Sequence, residues 1–219
     1  MGVEGARSFP GCYVVVVITA SGENMEEGWL RRSYDVGTSA AAGSTLVIAF
    51  GGLAGRLGGA GGVRVGDRHQ EAGHAGQPAH EFVAACRRAG VSHTLFCRDM
   101  QQAWYLRGTD DEPRGGFAAV IAALRKELDA LRPARLVTLG ASMGGYAAIR
   151  AGISLGAHVA IAFSPQVLVD STAREDAQLP RMPFDELLRH LKRVLWLEGQ
   201  QMTSLVEAVG TMPSGTRLP

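Results

Sequence analysis

The sequence predicts an α/β domain: an open, mainly parallel sheet with helices on both faces. Three observations carry that expectation: short apolar runs without clean alternation, helical stripes between them, and the glycine-bounded strand-to-helix turn "RLVTLGASMGGYAAIR" (135–150). Strands covered on both faces lose the in-out alternation of half-solvated ones, and alternating strands and helices demand parallel pairing with right-handed crossovers. At 219 residues the chain suffices for one sizeable core and is short for two, so 1–219 is read as a single domain.

The first run, "CYVVVVITA" (12–20), is short, β-branched and preceded by Glu4 and Arg7. It reads as a strand, since a membrane span needs roughly 20 apolar residues and a signal core has different flanks. "STLVIAF" (44–50) is the next strand, and it closes on Phe50-Gly51-Gly52-Leu53. The glycine-rich segment 52–77 shows no periodicity and starts where α/β folds keep their binding loops. "PAHEFVAACRRAG" (78–90) has Pro78 near its start, Phe82, Val83 and Cys86 on one face, and Gly90 as a stop, which reads as a helix.

"SHTLFCRD" (92–99) is a third strand of the same buried type. "GGFAAVIAALRKELDALRP" (115–133) repeats Phe117, Val120, Ile121, Leu124, Leu128 and Leu131 at helical spacing and ends on Pro133. "RLVTLG" (135–140) is a strand, "MGGYAAIRAGISLG" (143–156) a helix, and "HVAIAFS" (158–164) a strand. "FDELLRHLKR" (184–193) reads as a further helix, and "KRVLWLEG" (192–199) as a sixth candidate strand.

A net charge of +1 gives no general attraction to nucleic acid or to an anionic membrane, so neither is expected as a partner. Cys12, Cys86 and Cys97 are odd in number and lack metal-ligand spacing. Free thiols in a reducing compartment, and hence a cytoplasmic location, follow as the expectation. His69, His74 and His80 recur at spacings of five and six, but no Cys or Asp completes a ligand set, and no metal is expected.

Gly140-Ala141-Ser142-Met143-Gly144 fits G-x-S-x-G with a strand before it and a helix after it. A nucleophile on so sharp a turn sits in a strained backbone, and the residues two before and two after must be small because side chains there would collide. The N–H of Met143 and the positive end of the following helix then face the reaction centre. A second oxyanion donor is expected from Gly52 or Leu53, where glycine lets the backbone approach a ligand.

With these motifs the chain resembles the α/β-hydrolase-fold serine hydrolases, in particular a bacterial esterase-like group built around "SMGGYAA" (142–148). The likeness takes in "FGGL" (50–53), "RDMQQAWYLRG" (98–108) and "AFSPQ" (162–166), over roughly residues 44–170. It implies ester or thioester hydrolysis without a cofactor. It also implies that Asp99, Gln102, Trp104 and Tyr105 line the site; as bare sequence, that stretch reads equally as a loop anchored by two aromatics.

Ser142 needs a base, ordinarily a histidine oriented by a carboxylate, in the chain order Ser, Asp or Glu, His. The chain departs from the family here: no histidine follows His190, and the tail shows no convincing final strand. The order-preserving set is Ser142, Asp170 and His190. His190 lies near an apolar helical stripe, His158 opens a strand at the wrong end, His74 would serve only with altered order, and Glu198 would break the order. The expected activity is cleavage of small acyl esters through an acyl-enzyme on Ser142. The alternatives are acyl transfer to an alcohol or sugar, and an impaired hydrolase-like binding protein.

Overall fold

The computed structural model describes residues 29–33, 44–53 and 80–210. The candidate strand at 12–20, His69, His74 and most of the glycine-rich segment lie outside the described residues.

Five strands form one sheet: β1 (Leu30–Ser33), β2 (Thr45–Phe50), β3 (His93–Cys97), β4 (Arg135–Ala141) and β5 (Val159–Phe163), in the order β1-β3-β2-β4-β5. β1 runs antiparallel to β3, and the other pairings are parallel. The described helices are α1 (Val83–Arg88), α2 (Gly116–Leu131), α3 (Met143–Leu155), α4 (Ser171–Asp176), α5 (Asp185–Leu197) and α6 (Leu205–Gly210). This is the α/β architecture that the sequence predicts.

Both faces of the central strands are buried, which explains the missing alternation. Leu46, Ile48 and Phe50 of β2 join Leu95 and Cys97 of β3 in the large core formed with α2, α3 and α5. Val47, Ala49 and Phe96 point the other way and meet Cys86 of α1. The parallel register sets Ile48 against Leu95 and Ala49 against Phe96, so each face is continuous across the strands.

β1 carries no apolar run and is invisible to pattern reading. It is a strand because Leu30–Ser33 finds an edge: Leu30 pairs with Cys97 and Ser33 with Thr94. The Arg98 N–H donates to the Trp29 carbonyl at 2.8 Å. Arg32 then clamps Glu127 of α2 with two charge-assisted bonds of 2.9 and 2.6 Å.

The structure corrects the expectation of a sixth strand at 192–199, where α5 runs unbroken to Leu197. Leu188, Leu191 and Leu195 are fully buried at the three- and four-residue spacing of one helical face. Trp196 and Leu197, 75% and 69% exposed, lie off that face, so the run of apolar letters imitates a strand without being buried like one. α4, a helix of six residues, has no counterpart in the sequence pattern. No described helix is long and apolar enough to cross a membrane.

This packing sets a contrast within α5. Truncating the buried Leu191 to Ala costs about 2–5 kcal/mol, whereas Trp196→Ala at the exposed end stays within about 0.5 kcal/mol. Urea denaturation of the two variants checks it, and equal losses would contradict the helical assignment.

Candidate active site

β4 delivers Ser142 to the C-terminal edge of the sheet, and α3 leaves from it. Ser142 has φ 52° and ψ −116°, a left-handed φ that strains any residue with a Cβ. The turn is held from both sides: the Ser142 N–H donates to the Phe163 carbonyl at 2.9 Å, and the Tyr146 N–H donates to the Ser142 carbonyl at 3.1 Å.

The glycines are required by crowding. A Cβ on Gly140 would lie 2.1 Å from the Gly144 carbonyl oxygen. A Cβ on Gly144 would lie 2.2 Å from the Phe50 carbonyl oxygen and 2.8 Å from that of Gly51. The main chain at the end of β2 therefore rests directly on the first turn of α3.

Met143 is fully buried at the first turn of α3, where backbone N–H groups have no intrahelical acceptor. The Gly51 N–H is used in the fold, donating to the Cys97 carbonyl at 2.8 Å. Gly52 is the next residue along, and a Cβ there would lie 3.2 Å from the Ala141 carbonyl oxygen, so this part of the loop after β2 faces the serine turn. Leu53 packs its side chain against the large core.

Asp99 and Tyr105 lie beneath this edge as a buried knot. The Asp99 carboxylate accepts from the N–H groups of Gln101, Ala103 and Tyr105 at 2.9, 2.6 and 2.7 Å. Burial raises its pKa against the opposing pull of those N–H bonds. The Gln102 side chain donates to the Asp99 carbonyl at 2.7 Å. Gln102, Trp104 and Tyr105 take φ of 50°, 54° and 58°, conformations that the knot holds in place.

The Tyr105 hydroxyl lies 3.0 Å from the Gly51 carbonyl oxygen and 3.2 Å from that of Cys97, tying the loop after β2 to the end of β3. Trp104 is buried, donates through Nε1 to Gln166 Oε1, and meets the Phe184 ring edge-on at 6.4 Å. All four are buried and anchor the loop after β3 beneath the turn of Ser142.

The acids and bases expected from the sequence are placed as follows. Asp170 caps α4: its Oδ1 accepts the Ala173 N–H at 2.9 Å, and Lys192 Nζ lies 2.9 Å from Oδ1 and 2.8 Å from Oδ2. Burial pushes the Asp170 carboxyl up, but the Lys192 and backbone bonds outweigh it, and the net shift is downward. His190 is exposed on α5.

Glu198 is occupied by Arg107 in a largely buried two-pronged ion pair, with Nε on Oε2 at 3.1 Å and a terminal nitrogen on Oε1. His158 accepts the Leu136 N–H through Nδ1 at 3.1 Å, at the N-terminal ends of β4 and β5, away from Ser142. His80 precedes α1. Burial, then the charges of Arg98 and Arg31, lower its pKa to about 4.

One residue at this edge escaped the sequence reading. The Glu81 carboxylate oxygens lie 3.3 and 3.6 Å from the point a Gly52 Cβ would occupy. In sequence Glu81 looks like an ordinary position in a helix starting near Pro78. Phe82, at φ 65°, forms the N-cap and keeps Glu81 outside α1. The Phe82 ring stacks on Phe163, with centroids 6.1 Å apart, fixing this segment beside the strand end that holds Ser142. Among the described residues no group of three or more His, Cys, Asp or Glu is placed to hold a metal ion.

No family model matches the chain, and no curated protein does. Among solved structures the chain is similar to one in the Glycosylation Associate Protein (Gap123) complex from Streptococcus agalactiae, with 15% identity and a TM-score of 0.48. That match covers 86% of this chain and 31% of the other, so this chain spans about a third of its length. It is also similar to the capsule O-acetyltransferase of Neisseria meningitidis serogroup A, at 16% identity and a TM-score of 0.46, covering 89% of this chain and 73% of that one. The same acetyltransferase in complex with caged gadolinium gives 15% identity and a TM-score of 0.45, covering 89% and 72%.

Two expectations follow from this geometry. Gly144→Ala forces a Cβ into two carbonyl oxygens, and the soluble, cooperatively melting fraction should fall sharply, whereas Ala148→Gly should cost only about 1 kcal/mol by helix propensity. A pKa lowered on folding means that the unfolded chain binds the His80 proton first. Stability from this group is therefore complete above about pH 6.5 and declines as pH falls towards 4. Urea midpoints at pH 7.5 and 5 should differ more for the wild type than for His80→Gln.

Proposed function

We propose that the protein is a serine-dependent acyl-group enzyme, acting on small carboxylic esters through an acyl-enzyme on Ser142. One observation carries this reading: Ser142 sits at a left-handed φ of 52° on a turn that tolerates no Cβ at Gly140 or Gly144. Such a conformation costs of order 1–3 kcal/mol and persists where the surroundings enforce it, commonly at a reacting residue.

In this reading the Ser142 Oγ adds to the acyl carbon, and the carbonyl oxygen becomes an oxyanion. The N–H of Met143, at the positive end of α3, and an N–H of Gly52 or Leu53 hold that charge in place of water. Expulsion of the alcohol leaves the acyl-enzyme, and a second attack releases the acyl group. Water as the second nucleophile gives hydrolysis; an alcohol or sugar hydroxyl gives transfer. The chemistry on the enzyme is the same in both cases.

A non-catalytic binding protein is the second reading. It draws support from Asp170 and Glu198, which are committed to Lys192 and Arg107, and from His158, which is engaged with the Leu136 N–H at the other end of the sheet.

Fluorophosphonate labelling and hydrolysis of p-nitrophenyl acetate, with and without an added alcohol acceptor, test these readings together. The wild type should label at Ser142 and turn over, and Ser142→Ala should lose both, with turnover down at least about 10³-fold. Alcohol-dependent ester formation marks transfer. A wild type that neither labels nor turns over supports the binding protein.

A further inference from the structure

In the acyl-enzyme reading the Ser142 proton must pass to a base. Glu81 brings a carboxylate to the gap beside Gly52. The gap beside Gly52 is bounded on one side by the Ala141 carbonyl oxygen, 3.2 Å from the position of an absent Cβ, and on the other by the Glu81 carboxylate oxygens at 3.3 and 3.6 Å. Ala141 immediately precedes Ser142. Glu81 and the serine turn thus converge on one small space, at the residue expected to hold the oxyanion.

Among the described residues the Glu81 carboxylate has no hydrogen bond or ion pair, unlike Asp99, Asp170 and Glu198, each of which is held by named partners. The segment is fixed by the Phe82 stack on Phe163, whose carbonyl receives the Ser142 N–H. Of the other titratable or charged groups at this edge, Tyr105 feels the Glu81 charge, and Arg98 and Arg31 act on His80 next to it.

From this juxtaposition we propose that Glu81 is the general base for Ser142, acting directly or through one intervening water. The proposal rests on the acyl-enzyme reading above. Charge is the deciding consideration. An ionised spectator carboxylate beside Gly52 would repel the oxyanion that Gly52 is there to stabilise. A carboxylate that takes the serine proton becomes neutral as the oxyanion forms, so one negative charge moves from Glu81 to the acyl oxygen and the two never coexist.

The step balances. The Oγ lone pair forms the new bond to the acyl carbon, the carbonyl π pair moves to oxygen, and the Oγ proton passes to a Glu81 oxygen. On collapse the bond to the leaving alkoxide breaks, and that alkoxide takes the proton back. Water or an alcohol then repeats the cycle on the acyl-enzyme, giving its proton to Glu81 and returning it to Ser142.

The test compares wild type, Glu81→Gln, Glu81→Asp and Glu81→Ala for fluorophosphonate labelling rate at Ser142 and for kcat, KM and pH profile on p-nitrophenyl acetate, with melting curves alongside. Glu81→Gln should lower kcat by about 10²–10⁴-fold with KM little changed, slow labelling in parallel, and abolish the acid limb of the profile. Glu81→Asp should retain part of the rate, and added formate should restore part of it to Glu81→Ala; a purely structural role would show neither. A Glu81→Gln variant that labels and turns over like the wild type overturns the proposal while leaving Ser142 as nucleophile. A wild type that does not label overturns both.

Discussion

Main chain against main chain, with no room for a side chain between them, is the constraint on which this structure depends. Gly140 folds onto Gly144, and Gly144 rests on the carbonyls of Phe50 and Gly51. Ser142, between the two glycines, takes φ 52° on this crowded turn from β4 into α3. The end of β2, the end of β4 and the start of α3 are thereby held at fixed separation. The Ser142 N–H bond to Phe163 brings in the end of β5. A site built from strand ends locked in this way does not depend on loop order for its geometry.

The surrounding polar groups extend that constraint. The Asp99 carboxylate binds three N–H groups of its own loop, and Tyr105 from that loop reaches the carbonyls of Gly51 and Cys97. Further out, Glu198 at the end of α5 is tied to Arg107, and Tyr146 of α3 donates to the Thr203 carbonyl while accepting from Arg150 at 2.7 Å. A buried ion pair such as Arg107–Glu198 is a weak source of net stability, because desolvation offsets most of the attraction. Its effect here is positional: it docks the C-terminal segment on the loop after β3. Asp170 and Glu198, the two carboxylates weighed as the catalytic acid, are thus used to hold the fold, and Glu81, ordinary in sequence, comes to the gap beside Gly52.

Sequence pattern reached a good part of this. The strands at 44–50, 92–99, 135–140 and 158–164 and the helix expected after each of them all have counterparts, because burial on both faces or on one helical stripe leaves a periodic trace. The G-x-S-x-G turn was legible for a stronger reason: its glycines answer to contacts within a few residues, which spacing alone encodes. The sixth strand failed because "RVLWLEG" contains exposed apolar residues, and letters do not report exposure. β1 failed in the opposite sense: Arg31 and Arg32 hide a strand whose existence depends on the free edge of β3.

What the sequence determined by itself was therefore local or periodic: the α/β class, the parallel core strands, and the serine on its turn. What only the tertiary structure decided was which charges meet. Asp170 finds Lys192 twenty-two residues away, Glu198 finds Arg107 across ninety-one, and Glu81 comes to Gly52 because Phe82 adopts a left-handed φ of 65° and keeps it out of the helix. Pairing between charges far apart in the chain is set by the positions of whole elements, and those positions follow from the packing of both sheet faces at once.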